Sequence, residues 1–289
     1  MNPLQCSKTT NDQEMYLDLL KKCLTASVYD ESAWKVIEAR PQGDDSHPSL
    51  SKRITNPARR WVVQQLRRRS LLLVRQNQFS RAAREEGSDW PCFGFTMIGH
   101  RRLDNLQKCI MDVLENNVPG DFIETGAWRG GASIFMRAVL KACGVTNRVV
   151  WVADSFQGLP PPQNPNDGWD LSHVEHLQVS LERVKSNFSK FGLLDDQVRF
   201  LPGWFKDTLP VAPLQQLAIL RLDGDLYSST TDALENLYSK VSCGGYVIVD
   251  DYYSWPDCQQ AVGDFLSRRK LSVTIHKIDF TGAYWQVTD

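Results

Sequence analysis

"DFIETGAWRGGAS", residues 121–133, reads as a strand, a tight turn and the start of a helix. An apolar approach leads to Glu124 and Gly126, and Gly130-Gly131 precede "SIFMRAVLKACG", where Ile134, Phe135, Ala138, Val139 and Ala142 recur at helical spacing. Working outward, further strands are expected at 148–154 ("RVVWVAD"), 198–203 ("VRFLPG"), 217–223 ("LAILRLD") and 245–251 ("GYVIVDD"), with helical patterns between them. Apolar strands alternating with helices predict an α/β fold, a mostly parallel sheet covered on both faces. "LSVTIHKID" (271–279) and "GAYWQVT" (282–288) lie too close together for a crossover helix. They predict an antiparallel hairpin closing the sheet.

Upstream, residues 14–40 carry a helical pattern, 41–57 ("PQGDDSHPSLSKRITNP") a polar loop, and 100–120 a second helix ending near Pro119-Gly120. The division expected is an N-terminal helical extension, 1–92, followed by the main domain, 93–289. Eight arginines and no acid fall between residues 59 and 84, which leaves −9 for the rest (−1 less those 8). "RRWVVQQLRRRSLLLVRQ" then reads as one amphipathic helix, either solvated with Trp61, Leu66 and Leu72 against the body or facing an anionic surface. Nothing in it reads bases or adds a second membrane anchor, so nucleic acid and membrane are not the expected partners.

With 289 residues, 42% of them hydrophobic, the chain can bury a large core. No run of about 18 apolar residues occurs and the start lacks signal-peptide character, so a cytoplasmic location is expected. Seven cysteines without a C-x-x-C pair give no zinc or disulfide pattern.

In such sheets ligands bind beyond the carboxyl ends of the strands. Acids stand at those ends: Glu124, Asp154, Asp223 with Asp225, and the pair Asp250-Asp251. They would repel one another unless cations or donor-rich ligands intervene. A dinucleotide turn needs G-x-G-x-x-G, but Trp128 occupies the place of the second glycine. That disfavours a pyrophosphate, and with it an NAD-dependent oxidoreductase. An acid two residues before Gly126 suggests instead a ligand with a cationic group and hydroxyls, the glycines letting a nucleoside approach the chain. S-adenosylmethionine fits, with Asp154 accepting from its ribose hydroxyls. Asp223, Asp250 and Asp251 can converge across adjacent strand ends, and three carboxylates suit Mg²⁺. Each acid alone could also be a helix cap. His173 and His176, in a polar stretch suited to a lid, offer a metal-free general base. His100 reads as structural, His47 sits in the polar loop and His276 falls in a strand.

"ETGAWRGGASIFMRAVL", "WVADSFQGLPPP", "RFLPGWFKDTLP", "LRLDGDLYSSTTDAL" and "GGYVIVDDY" resemble the macrocin O-methyltransferase family. "TMIGHRRLDNLQKCI", "DFTGAYW" and "YLDLLKKCLT" extend the resemblance over nearly the whole chain. It implies a class I, Rossmann-like methyltransferase fold and an enzyme using S-adenosylmethionine and Mg²⁺ on a hydroxyl. The acceptor implied is a sugar hydroxyl of a glycosylated natural product or a related small secondary metabolite. A catechol-type hydroxyl is the alternative. Glu124, Thr125, Gly126, Ala127 and Ser133 would hold the methionine part of the cofactor, Asp154 and Ser155 the ribose, and Gly203, Trp204 and Phe205 the adenine. Thr96 and Met97 would close over it. Asp223, Asp250 and Asp251 would bind Mg²⁺, Asp223 also touching the cofactor and serving as the catalytic base, with Tyr227 and Tyr252 near the acceptor. The resemblance further implies a homo-oligomer.

Overall fold

A computed structural model describes residues 10–29, 34–36, 57–69, 71, 74–76, 80–89 and 93–288. The proline-bearing loop at 41–56, with His47, lies outside the described residues.

Helix α1, Asn11–Leu24, begins with a reciprocal cap in which the Thr10 hydroxyl accepts from the Gln13 N–H and the Gln13 side chain accepts from the Thr10 N–H. The helix expected over 14–40 stops there. The Thr25 hydroxyl donates to the Lys21 carbonyl (2.9 Å) and Ala26 turns left-handed (φ 56°), redirecting the chain. Trp34–Val36 (β1) then pairs antiparallel with Val74–Gln76 (β2). The long basic helix is also shorter than expected: α2 spans Pro57–Arg68, and the Arg69 and Leu71 N–H groups both close on the Leu66 carbonyl. Among the described residues of α2, Val63 is buried while Trp61 is 62% exposed, so Trp61 does not pack on the body; Leu72 lies outside the described residues. Helices α3 (Arg81–Glu86) and α4 (His100–Glu115) follow.

The sheet begins at β3 (Asp121–Thr125) and alternates through α5 (Gly131–Ala142), β4 (Val150–Asp154), α6 (Leu181–Lys190), β5 (Val198–Pro202), α7 (Phe205–Thr208), β6 (Leu217–Leu222), α8 (Tyr227–Leu237), β7 (Val241–Val249) and α9 (Pro256–Arg269). It closes with β8 (His276–Lys277) and β9 (Ala283–Gln286). The order is β5-β4-β3-β6-β7-β9-β8, parallel from β5 to β7, with β9 antiparallel to both β7 and β8. This is the α/β sheet and C-terminal hairpin that the hydrophobic pattern predicts.

Period-2 alternation sorts the core into two layers. Phe122, Val150, Val152 and Ile219 face one side, in a cluster with Leu17, Leu20 and Leu24 of α1 and the apolar stripes of α4, α5 and α6. Ile123, Ala153, Leu220 and Leu222 face the other side, against α8 and α9. Truncating a fully buried ring such as Phe122 to Ala would cost about 3–5 kcal/mol. The chain leaves β3 for β4 and β5, then returns to β6 on its other side, so strand order reverses at β3. The crevice opens at the carboxyl ends of β3 and β6, where the acids stand.

Candidate active site

The β3 turn is shaped by the chain itself. Gly126 has φ 92°, and a Cβ there would lie 1.7 Å from the Asp223 carbonyl oxygen. At Gly131 a Cβ would meet the Phe95 carbonyl oxygen at 2.5 Å. These two glycines therefore admit neighbouring backbone on the side where a side chain would stand, and Gly126 also borders the pocket. Gly126 N–H bonds the Ala153 carbonyl (2.8 Å) and Asp223 N–H bonds the Thr125 carbonyl (2.9 Å), stitching the turn between β4 and β6.

An open pocket of about 840 Å³ lies over this turn. Of the expected cofactor residues, Met97, Gly126, Asp154, Ser155, Gly203, Trp204, Phe205 and Asp223 line it. The other five stand behind its wall. Thr96 packs beside Gly131 and accepts from Ile98 N–H, the Thr125 hydroxyl donates to the Arg221 carbonyl, and Ala127 supports Asp154. Glu124 and Ser133 are bonded to each other in the interior. Asp154 Oδ2 accepts from Ala127 N–H (2.7 Å) and Trp128 N–H (3.2 Å), and its Oδ1 from Phe156 N–H (2.7 Å). Burial pushes its pKa up, against the pull of those N–H groups.

Beneath the pocket runs an ion network that the sequence reading missed. Arg221, 2% exposed near the carboxyl end of β6, donates through Nη1 to Glu124 (2.6 Å) and Asp223 (2.8 Å), and through Nη2 to Asp250 (2.5 Å). Arg102 of α4 bonds the other oxygen of Asp250, and its Nε lies 3.0 Å from Asp279. A signal was available. A lone arginine inside "LAILRLD" has to be paired if the strand is buried. Burial raises the Glu124 pKa to about 7, although Arg221 and the Ser133 hydroxyl oppose the shift.

The expected metal trio divides differently. Carboxylate oxygens of Asp223, Asp225 and Asp251 lie within 4.8 Å of one another. Asp250 is absent from this cluster because Arg102 and Arg221 hold it. The physical reason is strand geometry: successive residues leaving β7 turn to opposite sides, so Asp250 and Asp251 part company. Asp225, noted in the sequence only as a strand-end acid, takes the third place. Burial, then Asp223, pushes its pKa to about 7. Asp251 is raised by burial and by Asp225, Asp223 by burial and Asp250. Asp251 Oδ2 is buried without a hydrogen-bond partner. All-oxygen donors, excess negative charge and an orphaned buried oxygen fit a hard divalent cation.

Neither His173 nor His176 lines the pocket. His173 is exposed, and the His176 carbonyl accepts from the Trp128 indole (2.8 Å). The polar stretch containing them is tied down: Asp167 accepts from Ser228 N–H (2.9 Å) at the start of α8, and Asp257 of α9 from Gly168 N–H (2.6 Å). The Tyr227 hydroxyl donates to Asp264 (3.0 Å) and Tyr252 packs edge-on against Tyr253. His100 is structural, its Nε2 bonded to the hydroxyls of Thr25 and Ser27. No helix among the described residues is long and apolar enough to cross a membrane.

Comparison with known proteins agrees with this geometry. The family model for macrocin O-methyltransferase (TylF) matches residues 13–287. Demethyldecarbamoylnovobiocin O-methyltransferase of Streptomyces niveus is 45% identical over 97% of this chain and 96% of its own. Mycinamicin III 3''-O-methyltransferase of Micromonospora griseorubida is 49% identical over 74% of this chain and 87% of its own. Among solved structures, the O-methyltransferase NovP aligns with a TM-score of 0.79 at 44% identity, covering 96% of this chain and all of that one. The sheet, the acid-glycine turn and the match from end to end place this chain in the macrocin O-methyltransferase family, as an O-methyltransferase.

Proposed function

We propose that the enzyme transfers the methyl group of S-adenosylmethionine to a sugar hydroxyl of a glycosylated natural product, with Mg²⁺ as its metal. One observation carries the reading: Asp223 both lines the pocket and belongs to the cluster of three carboxylates. Cofactor and acceptor chemistry would therefore meet at this residue. The relatives' names, a novobiocin precursor and mycinamicin III, indicate the acceptor class.

When bound, the cofactor supplies an electrophilic methyl group and the cation supplies positive charge beside the acceptor hydroxyl. Asp154 accepts from the ribose hydroxyls, its backbone partners fixing the carboxylate before the ligand arrives. Trp204 and Phe205 offer apolar surface for the adenine. Asp223, Asp225 and Asp251 hold the cation, and Arg221 behind them fixes one oxygen of Asp223. The other oxygen of Asp223 takes the acceptor's proton. Burial and the neighbouring Asp250 raise its pKa, which makes it a stronger base than a solvated carboxylate. A homo-oligomeric state belongs to the same reading, and sedimentation of the full chain tests it.

The decisive experiment is calorimetric titration of S-adenosylmethionine and of Mg²⁺ into wild type and Asp223→Asn, with turnover measured on the acceptors in the relatives' names, demethyldecarbamoylnovobiocin and mycinamicin III. Wild type is expected to bind both, and Asp223→Asn to keep the cofactor while losing the metal and turnover. A wild type that ignores Mg²⁺ in the presence of cofactor would overturn the metal reading.

A further inference from the structure

Trp128 lines the pocket, yet the proposed function gives it no role. It stands where a dinucleotide turn would carry a glycine, and its backbone is left-handed (φ 46°), which is disfavoured for a bulky L-residue. Such a conformation persists only where the surroundings over-determine it. Three contacts do so here. The Trp128 N–H donates to Asp154 Oδ2 (3.2 Å), beside the Ala127 N–H. Its indole N–H donates to the His176 carbonyl (2.8 Å), next to Leu177, which lines the pocket. The Arg129 guanidinium lies 4.1 Å from the centre of the indole ring, and its Nη1 donates to the Gly94 carbonyl (2.8 Å), three residues before pocket-lining Met97.

We propose that Trp128, with Arg129 stacked on it, is a positioning residue that fastens two covering segments, 93–97 and 175–178, to the turn supporting Asp154, so that cofactor binding and closure of the pocket become one event. The inference rests on the cofactor reading above, in which Asp154 takes the ribose hydroxyls. A glycine at 128 would adopt the same φ without strain and could offer Asp154 the same N–H. What it could not do is reach His176 or carry Arg129. The carboxylate therefore does not call for a tryptophan; the pocket wall to which Trp128 belongs and the covering segments do. Because Asp154 Oδ2 accepts from both turn N–H groups, a ribose hydroxyl approaching that oxygen bears on the turn, and through indole and guanidinium on both covers.

The test uses S-adenosylhomocysteine as the probe on full-length wild type, Trp128→Phe and Arg129→Met. Trp128→Phe keeps an aromatic ring and loses only the indole donor, so release of the probe in stopped flow should quicken about tenfold, the effect of one hydrogen bond in a partly buried site. In wild type the probe should protect 171–178 from limited proteolysis, and in Trp128→Phe that protection should disappear while the thermal midpoint of the unliganded protein stays near wild type. A merely structural role would lower the midpoint and leave the ligand-dependent protection intact. Because Trp128 lines the pocket and Arg129 does not, Arg129→Met must show the same faster release, with protection lost around 93–97, whether or not Trp128→Phe folds. Wild-type release rates and intact protection in the folded variants overturn the latch alone. Failure of wild type to bind the probe overturns the cofactor reading, and the latch with it.

Discussion

Glu124 and Asp251 are both carboxylates held at the carboxyl ends of one sheet, yet their charges are met in opposite ways. Glu124 belongs to an inner layer with Asp250 and Asp279, in which every acid faces a guanidinium of Arg102 or Arg221. Asp251 belongs to an outer layer in which the clustered acids are Asp223 and Asp225. Asp223 joins the two, bonded to Arg221 on one side and facing the cluster on the other. A fixed cation gives a fixed geometry. Where none is built in, the charge has to be met by something exchangeable, a proton or a metal ion, and that is what a binding site requires.

The largest effect that could break this contrast is removal of the fixed cation. Arg221→Met leaves Glu124, Asp223 and Asp250 without their shared partner in the interior, and breaking a buried pair in this way costs about 3–5 kcal/mol. Urea unfolding in the presence of a chelator should show the loss. A change below about 1 kcal/mol, the range of an exposed ion pair, would mean that the inner layer is not held together as described.

Asp251→Asn should act in the opposite sense. Removing one of three clustered carboxylates, whose Oδ2 has no hydrogen-bond partner, relieves repulsion, so stability in chelator should hold or rise. Mg²⁺ affinity should fall on the order of 100-fold, since a hard cation loses one of few anionic ligands. Calorimetry and thermal melts on the same sample read both. Loss of stability with unchanged Mg²⁺ binding would place Asp251 in the inner layer.

Titration sharpens the contrast further. Asp225 and Glu124 have folded-state pKa values pushed up to about 7, above their unfolded values, mainly by burial. The folded state therefore holds more protons than the unfolded chain between those limits, and stability falls as pH rises from about 4 to about 7. Saturating Mg²⁺ should flatten the part due to Asp225 by taking the place of its proton, leaving the part due to Glu124. Thermal midpoints across that range, with chelator and with Mg²⁺, test the sign. A midpoint that rises with pH in chelator would contradict it.

The fold was largely legible because long apolar strands alternate with amphipathic helices, and period two sorts Phe122 from Ile123 without further information. The N-terminal portion was less so. Trp34–Val36 becomes a strand only because Val74–Gln76 lies beside it, a contact far apart in sequence. At the site, acids at strand ends announce themselves, but their division does not. Asp250 and Asp251 are neighbours of identical chemistry, and only the direction in which each side chain leaves β7 sends one to Arg221 and the other to the cluster. Arg221 was visible as a charge in an apolar run, whereas Arg102 looked like one more basic residue of a surface helix. That it is only 7% exposed follows from tertiary packing alone.

The smallest effect asks whether the inner layer has one centre or two. Asp279 Oδ1 accepts from Thr281 N–H (3.0 Å) and Gly282 N–H (2.8 Å), while its Oδ2 faces Arg102 Nε at 3.0 Å without hydrogen-bond geometry. Asp279→Asn can keep both backbone bonds through its amide oxygen, and Arg102 keeps Asp250. Only an ion contact is weakened, so the expected loss is about 1 kcal/mol, with Mg²⁺ affinity unchanged. A loss matching that of Arg221→Met would make Arg102 an equal anchor, and the loop carrying Asp279 would then help set the position of Asp250. A fall in Mg²⁺ affinity would go further: it would show that the two layers exchange charge, with Asp250 able to leave its arginines for the metal.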